Sequence, residues 1–424
     1  MSKKRLVAAM ELGTNKFTTL VAGLDGKGGE EEENLQILGV GLAHAQGVTK
    51  GMVVNIDDAA RAIRESVRKA ELQSGSKVHS AYVGITGTHI ASTNSRSVVA
   101  IGTGGRKVSR GDVRRVVSSV KDQELPEGRR VLRLIPKEFV LDTNASVKKP
   151  MGMKGYRLDL DAHIITGAQT CLTNMEEAIH RAGIRASGYI PGALASAYAV
   201  LSSPELEGGA LLVDIGGSTT DVGLFQRNSV QHVSVMPVGG NNLTSDLSIA
   251  LGLPLDMAER VKLTYGDLLY QAGKGLYAQK DDEDEEADTD KVNLGAGRQI
   301  SRNQVNEILR CRVVEIIRMA MTRVAEEGED KPYNTIVLTG GTANLKGIEY
   351  VAEAMSNLPA RIGSPSGIYG LTDGIEDPAY ACSVGLLHWA ARRPEEDLVG
   401  NGSGDEGTFS HVRGFARKTM DFVR

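Results

Sequence analysis

The sequence predicts an α/β protein made of two related halves, with a small α+β domain inserted into the first half. An apolar, strand-like run near the start of the chain ends in a glycine-containing turn, and a second run in the middle ends in a turn of the same kind. Strand-like and helix-like segments alternate along the chain, and only residues 80–162 interrupt that alternation.

The composition is that of a globular protein. The chain has 424 residues, 41% hydrophobic and 24% charged, which is enough for two or more domains. Its net charge of −4 does not indicate nucleic-acid binding. The three cysteines lack metal-ligand or disulfide spacing, which suits a reducing cytosol. We expect no signal peptide, because the apolar run after the first residues is too short, and no run long enough to span a membrane.

The first half is predicted to begin with strands at residues 6–10, 17–24 and 36–43, followed by a helix at 56–73. Asn55 can cap the start of this helix and Gly75 can end it. The segment that interrupts the alternation, residues 80–162, contains one helix-like stretch, residues 112–120, among strand-like runs. It is therefore predicted to be a small α+β insert. Those runs are residues 81–85, 131–140 and 156–161. Alternation resumes with a strand at 163–170 and a helix at 174–182.

The turn in the middle of the chain has the composition of a phosphate-binding turn. It consists of Gly216, Gly217, Ser218 and Thr219, and it follows the strand that ends in Asp214. Glycines let the backbone approach a phosphate closely, and turn amides and hydroxyls can hydrogen-bond its oxygens. A carboxylate at the strand end can hold Mg²⁺ through water.

The turn near the start repeats this order. Glu11 takes the place of Asp214, 203 residues earlier, and the turn residues Gly13, Thr14, Asn15 and Lys16 follow it. Two such hairpins at corresponding positions predict a duplicated fold that closes on one nucleotide, with Glu11 and Asp214 near the metal.

Three later motifs could complete a nucleotide site. Gly239 and Gly240 open a helix whose first amides are free. Glu259 and Lys262 are three residues apart on one face of a predicted helix at 255–265. A surface ion pair is the more common arrangement for such residues, but beside a cleft they could hold ribose hydroxyls and the adenine edge. The third motif follows a strand at 336–339, precedes a helix at 347–357, and consists of Gly340, Gly341 and Thr342.

The last residues predict an amphipathic helix at 408–424 behind a flexible linker at 394–407. On a helical wheel the apolar side chains share one arc and basic residues lie opposite, the pattern of an interfacial membrane anchor. A terminal helix packed on its own body is the alternative. The predicted membrane-binding residues are Phe409, Val412, Phe415, Arg417, Lys418, Met420, Phe422 and Val423.

A second charged segment, residues 281–290, holds eight acidic residues and is predicted to be a solvated loop.

These motifs together resemble the actin-like ATPase superfamily, through the two phosphate turns, the Glu259-x-x-Lys262 helix and the Thr339-Gly340-Gly341 turn. Residues 194–201, 214–223, 258–262 and 383–388 narrow the resemblance to the FtsA family of that superfamily, and residues 130–139 resemble its subdomain 1C.

The resemblance implies two ribonuclease-H-like halves with ATP and Mg²⁺ between them. It gives the first phosphate role to residues 13–16, the second to Asp214 and residues 216–219, and the nucleoside to Glu259, Lys262 and residues 340–341. The implied divisions are subdomain 1A at 1–82 and 163–195, 1C at 83–162, 2A at 196–240 and 332–393 with a return to 1A, and 2B at 241–331.

The resemblance also implies partners. They are the C-terminal peptide of FtsZ, other copies of the chain, later division proteins and the cytoplasmic face of the cell membrane at the division site, preferably anionic lipid. A helix at 301–323 would receive the FtsZ peptide through Arg302, Arg310 and Arg312.

Other functions of the superfamily are the alternatives. They are a pilus-assembly ATPase, which would not need the tail, and a small-molecule kinase, for which we identify no catalytic base. We expect no chaperone ATPase, because only about thirty residues follow Trp389. Residues 190–193, where several relatives in the superfamily place a water-orienting Glu or Gln, contain neither, so we expect weak or no ATP hydrolysis.

Overall fold

A computed structural model describes residues 5–25, 34–102, 104–121, 126–142, 146–147, 149–270, 291–293, 299–325 and 333–391. The acidic segment at 281–290, the linker at 394–407 and the tail helix at 408–424 lie outside the described residues, so their predicted structures stay predictions. Within the described ranges, no helix combines the length and apolarity needed to cross a membrane.

The strands are β1 (Arg5–Leu12), β2 (Lys16–Asp25), β3 (Asn34–His44), β4 (Val48–Thr49), β5 (Met52–Val53), β6 (Ser80–Ile85), β7 (Ala91–Ala100), β8 (Arg106–Lys107), β9 (Arg129–Leu141), β10 (Ser146–Val147), β11 (Lys154–Gly155), β12 (Arg157–Ala168), β13 (Arg185–Pro191), β14 (Ala210–Ile215), β15 (Thr220–Gln226), β16 (Ser229–Met236), β17 (Lys291–Asn293), β18 (Gln299–Ser301), β19 (Thr335–Thr339), β20 (Ala360–Ile362) and β21 (Ile368–Gly370).

The helices are α1 (Ile56–Ser74), α2 (Arg110–Lys121), α3 (Gln169–Arg181), α4 (Gly192–Val200), α5 (Ser203–Gly208), α6 (Gly240–Leu251), α7 (Leu255–Tyr265), α8 (Arg302–Ala325), α9 (Ile348–Ser356) and α10 (Ala381–Ala391). Two short 3₁₀ helices cover Gly341–Asn344 and Pro378–Tyr380. The predicted caps of α1 are confirmed, since the Asn55 side chain accepts from two backbone amides and Gly75 is left-handed.

The two large sheets repeat one topology, which confirms the predicted duplication. Their strand orders are β13-β6-β1-β2-β3-β21 and β16-β15-β14-β19-β20. Each contains an antiparallel meander, β1-β2-β3 or β14-β15-β16, and each continues from the first strand of that meander into two parallel strands.

The two glycine-containing hairpins also share one register. Glu11 pairs with Thr18 across the first hairpin, and Asp214 pairs with Asp221 across the second. Leu12 and Ile215, the next residues along, form the last pair before each turn, so both turns contain the same number of residues. The two carboxylates therefore occupy equivalent positions in the two halves.

Helices α4 and α10 join the halves. α4 follows the first-half strand β13 and leads into the second half, and α10 returns from the second half to pack on β1, β2 and β6. The two helices cross closely, since a Cβ at Gly385 would lie 1.7 Å from the Ala195 carbonyl oxygen. Most of their side chains are buried, so this junction holds the relative position of the halves through close packing.

The insert is an α+β unit with its own hydrophobic core. Its sheet has the order β10-β9-β12-β7, and α2 covers it with four buried valines, Val113, Val116, Val117 and Val120. The insert also contacts the second half. The Ser92 hydroxyl of β7 accepts the Val233 amide at 3.0 Å and donates to the Val233 carbonyl at 2.8 Å, so it covers part of the free edge of β16.

Two predictions about the strands of the insert were wrong. Residues 81–85 belong to β6, in the first-half sheet, because they pair in parallel with β1 and β13. The predicted strands at 156–161 and 163–170 are the single strand β12. The polar side chains of Asp161 and His163 interrupt its apolar run, but a register shift between Asp161 and Ala162 keeps the pairing with β9 continuous. The predicted residue boundaries of the subdomains stay predictions.

Candidate functional site

The two predicted phosphate turns face each other across a cavity of about 250 Å³. The Thr14 and Ser218 hydroxyls lie 2.7 Å apart, although their residues are 204 positions apart in the sequence. The side-chain amides of Asn15 and Asn241 exchange two hydrogen bonds of 3.2 Å. The structure therefore places the turns of the two halves in contact, as the sequence predicts.

The second turn joins the other two glycine motifs. The Gly216 carbonyl accepts from the Gly240 amide at 2.9 Å and from the Thr342 hydroxyl at 3.1 Å. The Gly217 carbonyl accepts from the backbone amide of Asn241 at 2.7 Å. The residues predicted separately at 216–219, 239–240 and 340–342 are thus joined by hydrogen bonds, and of them Gly216, Gly217, Thr219, Gly340 and Gly341 line the cavity.

Neighbouring atoms lie so close to two of these residues that only glycine fits there. Gly340 has a φ of +85°, and a Cβ there would lie 2.4 Å from the Asp214 carboxylate. A Cβ at Gly239 would lie 2.6 Å from the Gly216 carbonyl oxygen. Any side chain at either position would push the turn away from the cavity, so the backbone of three segments can meet here only with glycine.

Three carboxyl groups line the cavity, and each accepts one hydroxyl hydrogen bond. Glu11 accepts from the Ser383 hydroxyl, Asp214 from that of Ser196 at 2.5 Å, and Asp221 from that of Thr86 at 2.6 Å.

Burial raises the pKa of all three groups. It raises the pKa of Glu11, and it raises the pKa of Asp214 to about 7 with a further contribution from the neighbouring Glu11 charge. Burial and the charge of Asp214 raise the pKa of Asp221 well above its usual range. The cluster thus holds negative charge only at a free-energy cost, which a bound cation would reduce.

The Asp214 carboxyl group should make the stability of the ligand-free protein fall as the pH rises. Its pKa is about 7 in the folded chain and ordinary when unfolded, so the folded state binds the proton more tightly. The stabilisation is complete below the unfolded pKa and is lost as the pH rises from about 4 to about 7, at up to about 1.4 kcal/mol per pH unit. Urea unfolding of the wild type and Asp214→Asn between pH 5 and 8 checks this. The asparagine variant should gain relative stability up to about pH 7, and a constant difference would contradict the assignment.

The oxygen donors fit Mg²⁺ held through water. Carboxylate oxygens are the ligands that Mg²⁺ prefers, and it usually keeps several of its waters. Within the part of the chain that the structure covers, no three His, Cys, Asp or Glu side chains converge closely enough to ligate a metal. Glu11 and Asp214 could each accept a hydrogen bond from a water molecule of a hydrated cation.

Lys16 supplies the positive charge in the first turn. Its ammonium group lies 3.5 Å from the centre of the Tyr380 ring, and it lines the same cavity as the carboxyl groups. An aromatic face stabilises the ammonium group without neutralising it. The lysine thus places its ammonium group at the cavity, beside the first turn.

Glu259 and Lys262 form the ion pair that the sequence allowed, at 2.7 Å. The Lys262 ammonium also donates to the Thr244 hydroxyl at 2.9 Å and to the Gly240 carbonyl at 3.2 Å. The pair lies beside Gly240. Neither Glu259 nor Lys262 is among the residues that line the cavity.

The three predicted partner-binding arginines lie on α8 and already have contacts within the chain. Arg312 holds Asp246 with two hydrogen bonds, at 2.6 and 2.9 Å, and also contacts Glu315. Arg310 donates to the Leu268 carbonyl at 2.6 Å. Arg302 lies 4.5 Å over the Tyr270 ring. A peptide carboxylate would have to compete with these contacts or add to them.

Among the cavity residues that sequence reasoning missed are Thr86 and Asp221, whose side chains hydrogen-bond each other. A signal existed for Asp221, because it follows the second turn at the same distance as Asp214 precedes it, and the two residues pair across the hairpin. One of its carboxyl oxygens is buried and has no hydrogen-bond partner in the described structure. No local signal existed for Thr86, which reaches the site only because β6 lies beside β1.

The chain matches one family in two places. Residues 211–385 match the family described as cell division protein FtsA, and residues 87–166 match the SHS2 domain inserted in FTSA. A cell division protein FtsA from Pseudomonas aeruginosa is 33% identical over 402 residues, which cover 94% of this chain and 93% of that protein. Another from Neisseria meningitidis serogroup B is 34% identical over 419 residues, which cover 97% and 98%.

Among solved structures, a PilM-PilN type IV pilus biogenesis complex matches with a TM-score of 0.62 and 14% identity, over 92% of this chain and all of that one. At this identity the likeness concerns the fold alone. Together with the duplicated sheets and the SHS2 insert, it confirms the predicted actin-like ATPase fold.

Proposed function

Because this chain belongs to the FtsA family of cell division proteins, we propose that it binds MgATP in the cleft and anchors FtsZ filaments to the cytoplasmic membrane. The observation that carries the nucleotide proposal is the meeting of the two phosphate turns, with Thr14 and Ser218 at 2.7 Å. Polymerisation of many copies on the membrane and assembly of the septal ring complete the proposed role.

Each wall of the cleft has a proposed part. The turns at 13–16 and 216–219 would hold the phosphates through amides and hydroxyls, and the Lys16 charge would offset theirs. Glu11 and Asp214 would hold the hydrated Mg²⁺. Glu259, Lys262 and residues 340–342 would contact the nucleoside. The ATP would thereby contact both halves and fix their relative position. We propose that filament assembly needs the two halves fixed in this way.

Slow hydrolysis is part of the proposal. A water-activating base must be ionised to accept a proton. Burial and the charge of Asp214 raise the pKa of the cavity carboxyl Asp221, which hydrogen-bonds Thr86, and a raised pKa makes it a poor candidate for that ionised base. ATP would serve mainly as a structural ligand, and turnover would not drive the function.

The membrane and FtsZ contacts rest on other parts of the chain. The amphipathic tail at 408–424 would lie in the membrane interface, and α8 would receive the FtsZ peptide. A vesicle co-sedimentation assay with the full chain, with and without residues 408–424, tests both. The full chain should carry FtsZ to anionic vesicles in MgATP, and the truncated chain should leave FtsZ in solution. Recruitment of FtsZ without the tail would overturn the anchor proposal.

The α8 contact can be tested with a charge swap. Arg312→Glu should reduce affinity for the FtsZ peptide, but it also breaks the ion pair with Asp246. The double variant Arg312→Glu/Asp246→Arg restores that pair with reversed polarity. Peptide affinity that stays low in the double variant, with MgATP binding unchanged, supports a direct peptide contact. Affinity that returns to the wild-type value shows that Arg312 only positions the helix, and moves the docking site elsewhere.

A further inference from the structure

The inserted domain carries a charge unlike that of the rest of the chain. Residues 87–166 contain 15 Lys and Arg against 8 Asp and Glu, a net charge of +7, whereas the whole chain has a net charge of −4. Clustered charge of one sign attracts partners of the opposite sign and speeds their association. The insert therefore suits an acidic partner.

Two exposed lysines of the insert face each other. Strands β8 and β11 pair so that Lys107 lies directly opposite Lys154. Like charges opposite each other across an antiparallel pair destabilise it. Neither side chain forms an ion pair with any described residue, and both are exposed. The arrangement costs local stability, which points to a role in binding.

Two buried acidic residues of the insert are already paired with arginines. Asp112 is buried and accepts two hydrogen bonds of 2.6 Å from Arg106, and it also contacts Arg115 at 2.5 Å. Asp159 is likewise buried between Arg157 and Arg96, at 2.6 and 2.8 Å. Each carboxylate is thus shared by two guanidinium groups, so a positive excess remains at the surface.

Exposed apolar side chains adjoin the lysines. Met151, Met153 and Tyr156 are 45%, 42% and 60% exposed. The Val108 amide donates to the Met153 carbonyl at 2.8 Å, which holds this loop beside β8. We call the set the basic–apolar surface, and it consists of Lys107, Lys149, Met151, Met153, Lys154 and Tyr156.

We propose that the basic–apolar surface binds the acidic segment, residues 281–290, of a second copy of the chain. That segment holds eight acidic residues, and the apolar pair Leu276 and Tyr277 shortly precedes it. Acidic residues would pair with the lysines, and the apolar pair would cover the exposed methionines and Tyr156. The inference rests on the proposed self-association and names a contact that supports it.

The charges are at the surface, so the contact should depend on salt. Surface charges are screened over about 8 Å at physiological ionic strength, and association steered by them weakens as salt rises. One such contact is weak alone. Repeated along a filament it would add to the contacts that hold neighbouring copies together.

The test measures self-association of the full chain in MgATP without lipid, by sedimentation velocity at low salt. Lys107→Glu/Lys154→Glu should weaken association by about tenfold, and so should Asp282→Lys/Glu283→Lys/Asp284→Lys/Glu285→Lys. An equimolar mixture of the two variants should recover association, because each copy then meets a segment of opposite charge. Arg64→Glu/Arg68→Glu, on the exposed face of α1, is the matched control and should change nothing.

A single variant separates binding from folding. Lys154→Glu should weaken association while raising the thermal stability of the chain slightly, because it removes a like-charge pair. If both measurements fall together, the lysines serve the fold and the proposal is wrong.

Other outcomes would also overturn it. Recovery only when both sets of substitutions lie in one chain, and not in the mixture, would place the contact within a single copy. Lost binding to anionic vesicles with unchanged lipid-free association would make the surface a membrane contact. Wild-type chains that never associate in MgATP would refute the proposed polymerisation itself, whereas association that survives every charge variant refutes only this contact.

Discussion

Asp214→Ala should weaken MgATP binding by about 10- to 100-fold, the usual cost of losing a side chain that orients a metal's ligands. Asp214 lies at the end of β14, in the wall that both phosphate turns share, and its carboxylate is buried beside Glu11. Removing it would take away a hydrogen-bond acceptor for the hydrated metal. Isothermal titration with ATP, with and without Mg²⁺, measures the effect, which should be confined to the titration with metal.

Two comparisons make this result specific. Asp214→Asn keeps the shape of the side chain and should lose most of the same affinity, because the charge is what attracts the metal. Lys262→Ala should weaken binding less, and equally with and without Mg²⁺, because its ammonium group lies beside Gly240 rather than among the carboxyl groups. Tight MgATP binding by both Asp214 variants would exclude this cleft as the metal site.

Phe415→Glu together with Phe422→Glu should release the chain from vesicles almost completely. Both residues lie on the predicted apolar arc of the tail, and a charge there would have to enter the membrane interface. A single short helix binds only modestly, so losing two large apolar contacts should leave little attachment. Co-sedimentation with anionic vesicles measures this loss. A variant that stays bound but unfolds at lower temperature would show that the helix packs on the body.

The basic side of the tail gives the matched comparison. Arg417→Gln with Lys418→Gln leaves the apolar arc intact and removes two charges. Each basic residue near an anionic surface contributes about 1 kcal/mol. Binding should therefore weaken mainly on anionic vesicles and mainly at low salt, while binding to neutral vesicles should change little. Equal weakening on both lipids would contradict the electrostatic part of the anchor.

Much of the cleft could be predicted because its signals are local. Gly216 and Gly217 directly follow a buried strand, and an isolated stretch of about ten residues is enough to show a turn that can approach a phosphate. The same holds for Gly13 and its neighbours. Comparing the two stretches predicted the duplication, and the equal registers of the two hairpins confirm it.

Strand membership could not be predicted as well. Residues 80–85 look like any short buried strand, and only their parallel pairing with β1 and β13 assigns them to the first-half sheet. Parallel partners come from distant parts of the chain, so a local pattern does not identify them. Thr86 follows this strand, and its place beside Asp221 was hidden for the same reason.

The fold class, the duplication, the two glycine-containing turns and the α/β order could be read from the amino-acid sequence, because these depend on residue types within short stretches. The folded structure was needed to show that Asp221 and Thr86 line the cavity, that Arg312 is held by Asp246, and that Lys107 faces Lys154. Those relations join residues from separate segments. Their distances follow from the packing of whole sheets and helices, and the burial that raises the pKa of Asp214 likewise exists only in the folded chain.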